Sequence, residues 1–166
     1  MKIISFTLIE LLITTSFILT FGALSLAYYN NFTQEKSLRN EASKLANILE
    51  IARKKAVSGD LSGRVCNGGF NSYQVNVTNS SYSLQLRCGG NPVLPLIFSY
   101  SFPANISIIN GANNYYFLKL SGKVETQNNS QNNQIITIKN LSIAKCLDIN
   151  ISSFGIITIS NNFSSC

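Results

Sequence analysis

The first thirty residues limit what this chain can become. Met1-Lys2-Ile3-Ile4-Ser5-Phe6-Thr7-Leu8-Ile9-Glu10 sets one carboxylate at the edge of an apolar run, and no charged residue follows Glu10 until Glu35. A charge near a bilayer centre costs about 2.5–3.5 kcal/mol on insertion scales, so an acid in such a run reads as functional. The apolar run from Leu11 to Tyr29 is about 19 residues, enough at about 1.5 Å per residue to span roughly 30 Å of hydrocarbon. It therefore reads as a membrane-spanning helix. The rival is a cleaved secretory signal, with an apolar core of about 7–15 residues and an Ala-x-Ala-like exit. Ser25-Leu26-Ala27 is a poor exit of that kind, and Glu10 sits awkwardly in such a core.

Composition narrows the chemistry. The chain has 166 residues, no histidine and 7 Asp and Glu together. Ser-His-Asp and Cys-His nucleophilic arrangements are excluded. Beyond the helical region only Asp60, Glu125 and Asp148 remain, too scattered in sequence to suggest an acid–base pair. No cofactor or metal site is expected. Cys66, Cys88, Cys146 and Cys166 lack the C-x-x-C spacing of zinc sites, and an even count behind an export signal favours disulfides. Three pairings are open; Cys66–Cys88 with Cys146–Cys166 is favoured, because each closes a loop of about 20 residues, worth roughly 3 kcal/mol by chain entropy.

Past the apolar run, Leu38, Ala42, Leu45, Leu49, Ala52 and Ala56 recur at spacings of four and three, a helical stripe, with Lys36, Arg39, Glu41, Lys44, Glu50 and Lys54 on the other faces. Gly59-Asp60 ends the pattern. The pattern predicts one long helix from about Phe6 to Ser58, roughly 80 Å at about 1.5 Å per residue, with Asn30-Asn31 as a kink or fraying point. From Arg64 the period becomes two. Tyr73–Val77 and Tyr82–Leu86 alternate around the turn Asn79-Ser80 and predict a hairpin. Further strands are expected at Ile97–Phe102, Ile106–Ile109, Tyr115–Leu120, Ile135–Lys139, Ala144–Ile151 and Ile156–Ser160. The tract Gln127–Asn133 is too hydrophilic to pack and reads as a loop.

Ser5-Phe6-Thr7-Leu8-Ile9-Glu10-Leu11-Leu12-Ile13 resembles the processing signal of type IV pilins and pseudopilins. The resemblance implies cleavage by a prepilin peptidase between Ser5 and Phe6, N-methylation of Phe6, and pairing of Glu10 with the N-terminus of a neighbouring subunit. Ser5 stands where the family usually has Gly. A second likeness runs along the chain: Leu45–Ala56, Val65-Cys66, Phe102-Pro103-Ala104-Asn105-Ile106, Phe117–Gly122 and Ile151–Ile157 look like the GspH/FimT-type minor pseudopilins. There the Gly near the last strand is commonly followed by Arg, whereas Ile156 follows Gly155 here.

The resemblance implies a pilin-like α+β fold: a long N-terminal helix, membrane-spanning in its first half, packed on an antiparallel β-sheet domain. The expected organisation is a leader at 1–5, a transmembrane or filament-core helix at 6–29, its amphipathic continuation at 30–58 and a β domain at 59–166. The expected protein is a non-enzymatic structural subunit of a type IV pilus or type II secretion pseudopilus. It would be held first in the bacterial inner membrane as a single-pass protein with its C-terminal domain outside the cytoplasm, then in a filament with other pilin subunits. The alternative is a DNA-binding minor pilin of an uptake pilus: the net charge is +6, and Arg53, Lys54, Lys55 and Arg64 are the candidate phosphate contacts. The commoner meaning of such a run is a solvated helix face. Gly22, Ala23, Ser25 and Ala27 are small enough to let helices approach closely.

Overall fold

The computed structural model describes residues 7–61, 63–66, 68–89, 96–127 and 132–166, with side chains throughout except at 23–27. The expected leader, the cut at Ser5 and Phe6, the small side chains of Ala23, Ser25 and Ala27, and most of the tract after Gln127 lie outside the described residues.

Helix α1 is assigned to Leu8–Ser58, and its described side chains fall in two stretches, 8–22 and 28–58. It starts because Thr7, in an extended conformation, accepts the Glu10 backbone N–H at its hydroxyl, 3.4 Å away. It stops where Gly59 turns left-handed, at φ 66°, a conformation that costs glycine nothing; the next amide, from Asp60, donates to the Lys55 carbonyl at 3.2 Å. The Gly59-Asp60 stop is thus where the sequence pattern set it.

Among the described residues ten strands follow: β1 Phe70–Val77, β2 Ser81–Cys88, β3 Phe98–Ser101, β4 Ile106–Asn110, β5 Asn114–Leu118, β6 Val124–Thr126, β7 Gln134–Asn140, β8 Lys145–Ile151, β9 Ile157–Ile159 and β10 Ser164–Ser165. All pair antiparallel, in two sheets. One has the order β3-β2-β1-β5-β6; the other runs β10-β8-β7-β4, with β9 also on β8. The expected hairpin is β1–β2, in register from Tyr73 opposite Leu86 to Val77 opposite Tyr82.

The α+β expectation, one long N-terminal helix packed on an antiparallel sheet, is corrected. The described helical side chains fall in stretches of 15 and 31 residues, and among the described residues the β portion is ten strands in two sheets. Only the second stretch packs. Leu38, Ala42, Leu45, Leu49, Ala52 and Ala56 are buried against Tyr73, Val75, Leu86 and Phe117 of one sheet and Ile136, Ile138, Leu147 and Ile149 of the other. Every described side chain of 8–22 is exposed. The physical reason is pattern: a stripe with spacings of three and four has one face to bury, whereas a stretch apolar on several faces offers no single seam to a sheet.

The membrane expectation is corrected too. Among the described residues no helix is long and apolar enough to cross a membrane. Thr14, Thr15, Ser16 and Thr20 dilute the run, each hydroxyl donating to a carbonyl one turn back. The single-pass inner-membrane placement, which rested on a span through Tyr29, goes with it.

Both disulfides form as the local-loop argument favoured: Cys66–Cys88, with Cα atoms 5.4 Å apart, and Cys146–Cys166, at 5.7 Å. The second ties the chain end to β8, where β10 adds its two residues beside Lys145 and Cys146.

Candidate functional site

Glu10 lies in the first helical turn. Its carboxylate accepts the Thr7 hydroxyl proton at 3.4 Å while Thr7 accepts the Glu10 amide. Thr7-Leu8-Ile9-Glu10 is therefore a Ser/Thr-x-x-Glu capping arrangement, which satisfies a free helix-end donor and places an anion at the positive end of the helix dipole. The sequence reading assigned Glu10 to pairing with a neighbouring subunit and missed the Thr7 cap, legible in the three-residue spacing between the two. Around it, nine large apolar side chains stand exposed: Leu8, Ile9, Leu11, Leu12, Ile13, Phe17, Ile18, Leu19 and Phe21, with Leu8 at 81% and Leu19 at 73%. Phe17 and Phe21 stack along the helix, rings 6.4 Å apart. Each such side chain is worth about 1.5–3 kcal/mol when buried, and a patch of this extent marks an interaction surface.

A polar belt fastens the second stretch to the sheets. Gln34 Oε1 accepts from Asn105 at 2.8 Å and from Asn140 at 3.1 Å. Glu35 pairs with Lys145, and the two line a hollow of about 400 Å³ with Tyr28, Asn31, Phe32 and Ile143. The Arg39 guanidinium donates to the Asn161 carbonyl at 2.8 Å and lies over the Phe163 ring. One turn on, Glu41 is buried, and its Oε1 accepts from Lys44 at 2.7 Å and from Tyr100 at 3.1 Å. Those hydrogen bonds to Glu41 and Tyr100 raise the Lys44 pKa above the ordinary lysine value. Burial, with the nearby Glu41 charge, raises that of Tyr82. The sequence pattern carried no sign of this cluster, because Tyr100 comes from β3, 59 residues away.

The four candidate phosphate contacts do not form one free basic face. Arg53 is half-buried beneath the glycines of two loops: a Cβ added to Gly155, whose φ is +77°, would meet the Gly122 carbonyl at 2.3 Å and Arg53 Cδ at 3.1 Å. Lys54 pairs with Glu50 at 3.2 Å, and Lys55 pairs with Asp60 at 2.6 Å. Arg64 lies beyond the helix, its amide bonded to the Leu61 carbonyl. Among the described residues no group of three or more His, Cys, Asp or Glu is placed to hold a metal ion.

No family model, curated protein or solved structure matches this chain. Functional inference therefore rests on the residues alone, and the feature that separates this molecule from an ordinary small β domain is the exposed apolar helix with its single carboxylate.

Proposed function

We propose that this chain is a minor pilin or pseudopilin: a structural subunit, not an enzyme, that a prepilin peptidase trims and methylates and that assembles through its N-terminal helix with other pilin subunits. The observation that carries the reading is the stretch 8–22, largely apolar and exposed throughout, with Glu10 as its one ionisable group. Burying that surface against like helices in a filament supplies the assembly free energy. Once water is excluded, Glu10 needs a cation, and the Phe6 ammonium of an adjacent subunit is a partner of the right charge; an unpaired buried charge costs about 3–5 kcal/mol. The processing signal around Ser5 and Phe6 supports the same reading.

Intact-mass measurement of the protein recovered from its native host tests this first. The expected product begins at Phe6 and carries one added methyl group. A mature N-terminus beyond Leu12 would remove Glu10 and overturn the assignment. No observation raises the DNA-binding alternative beside it, since Lys54 and Lys55 are engaged by Glu50 and Asp60.

A further inference from the structure

The sheet β3-β2-β1-β5-β6 has two unlike faces. Tyr73, Val75, Leu84, Leu86, Tyr115 and Phe117 point into the core. Alternation sends their neighbours outward, and cross-strand register aligns these in rows: Arg87 opposite Ser72 and Ser72 opposite Leu118; Gln85, Gln74, Tyr116 and Glu125 side by side; Ser83, Asn76 and Asn114 beyond. This outer face is mostly hydroxyl and amide, with Arg87, Glu125 and Leu118 at its edges. A flat solvated face would leave such groups open to water, yet Ser72 is 2% exposed and Gln74 7%. Ser72 lines a depression. Arg87 reaches across it, its guanidinium carbon 4.8 Å from the centre of the Tyr116 ring. The cavity there measures about 340 Å³, with Arg87, Tyr116, Glu125, Ser72 and Gln127 among its walls.

The amides beside it are oriented. Asn114 Oδ1 accepts from Gln74 at 2.9 Å and from Asn76 at 2.7 Å, and Asn114 Nδ2 donates to Gln127 at 3.1 Å. That chain fixes which end of each amide faces which way, a condition for selective recognition.

We propose that this cleft binds a neutral saccharide. Its volume lies within the range of small-ligand pockets, roughly 300–1,000 Å³. Its walls carry one cation and one carboxylate, which match no net charge on a ligand. Hydroxyls and amides both donate and accept, as a polyol requires, and Arg87 presents a planar fork to adjacent oxygens. Tyr116 lies against the Arg87 guanidinium and holds it beside the cleft. A nucleic acid suits the walls less well, because its phosphates would meet Glu125 with only Arg87 to neutralise them. The site lies on the β domain and does not depend on how the helix assembles.

The test is titration of the full-length oxidised protein with methyl glucoside, methyl galactoside and N-acetylglucosamine, read by saturation-transfer NMR and tyrosine fluorescence. At least one is expected to bind with a dissociation constant of about 1 mM or tighter, which corresponds to about −4 kcal/mol. Arg87→Ala and Tyr116→Ala are expected to weaken that binding tenfold or more, and Glu125→Gln, which preserves shape, at least threefold. Melting curves identify any variant that fails to fold. Lys36→Ala, on the helix, is expected to change nothing. The proposal fails if no glycoside binds below about 50 mM, a ceiling of about −2 kcal/mol. It also fails if Glu125→Gln and Tyr116→Ala bind as the parent does, or if oligothymidine binds more tightly than every sugar with steep salt dependence.

Discussion

Residues 8–22 and 28–58 share a helical backbone, yet Leu12 and Phe17 stand in the open while Leu38, Leu45 and Leu49 are sealed beneath two sheets. Composition separates them in part: leucine and isoleucine are seven of the fifteen residues at 8–22 and five of the thirty-one at 28–58, which carry nine charged residues against one. Arrangement separates them further. The second stretch gathers most of its apolar residues in one stripe and uses its other faces for Gln34, Glu35, Arg39, Glu41 and Lys44, which hold partners on the β strands and their loops. The first carries apolar residues on several faces, and its hydroxyls bond back to its own carbonyls. A helix of the second kind completes a domain; a helix of the first kind is unfinished until other surfaces surround it.

Truncating one leucine in each stretch tests the contrast hardest. Leu49→Ala is expected to lower the unfolding free energy by about 2–5 kcal/mol, as a cavity in a closed core does. Leu12→Ala is expected to move it by less than about 0.5 kcal/mol, the usual effect of a surface change. Chemical denaturation of the full chain measures both, and equal losses would erase the distinction between the stretches.

The disulfides sharpen the comparison from the domain side. Cys146→Ser combined with Cys166→Ser opens a crosslink of sequence separation 20 that ties β10 to β8. The expected loss is about 3 kcal/mol by loop entropy. It should appear in thermal melts of the domain and leave the helicity of 8–22 unaltered, since that stretch touches neither cysteine.

Alkaline pH acts on the packed region alone. Burial pushes the Tyr115 hydroxyl up from 10.0 to about 12, and that hydroxyl donates to the Gly111 carbonyl at 2.6 Å. A raised native pKa means the folded protein keeps a proton that the unfolded chain releases. This stabilisation is whole below about pH 10 and is lost as pH climbs to about 12. Lys44, raised by Glu41 and Tyr100, acts in the same direction. Tyr115→Phe is expected to flatten the fall in melting temperature over this window, and an unchanged slope would relocate the effect.

Much of this arrangement is written locally. The 3,4 spacing from Leu38 to Ala56 identifies the buried stripe, Gly59 the helix end, Asn79-Ser80 the hairpin, and the cysteine spacing the two crosslinks. What escaped was set by long-range pairing. β6 has three residues and β10 two, each too short to show a period; β10 exists because Cys166 is tied to Cys146. Division into two sheets depends on which strands pair after Phe102, a choice with no local mark. The half-buried state of Arg53 follows from loops 69 and 102 residues downstream, so a run that reads as a basic face is partly structural. The outer-face cleft needed β1, β2, β5 and β6 in register before Arg87, Tyr116 and Glu125 became neighbours.

The central claim is that the exposed helix is an assembly surface in which the Glu10 charge pairs between subunits. Glu10→Ala alone does not isolate that charge, because it also removes the side chain that accepts the Thr7 hydroxyl at the helix start. Glu10→Gln separates the two roles, since Gln serves the same capping position without the charge. The measurement is recovery of each variant in sheared filaments, normalised to its amount in cells. The account predicts that Glu10→Gln is excluded as strongly as Glu10→Ala, with incorporation down tenfold or more. Recovery of Glu10→Gln at the parent level, with only Glu10→Ala impaired, would show that Glu10 serves as a helix cap and that its charge takes no part in assembly.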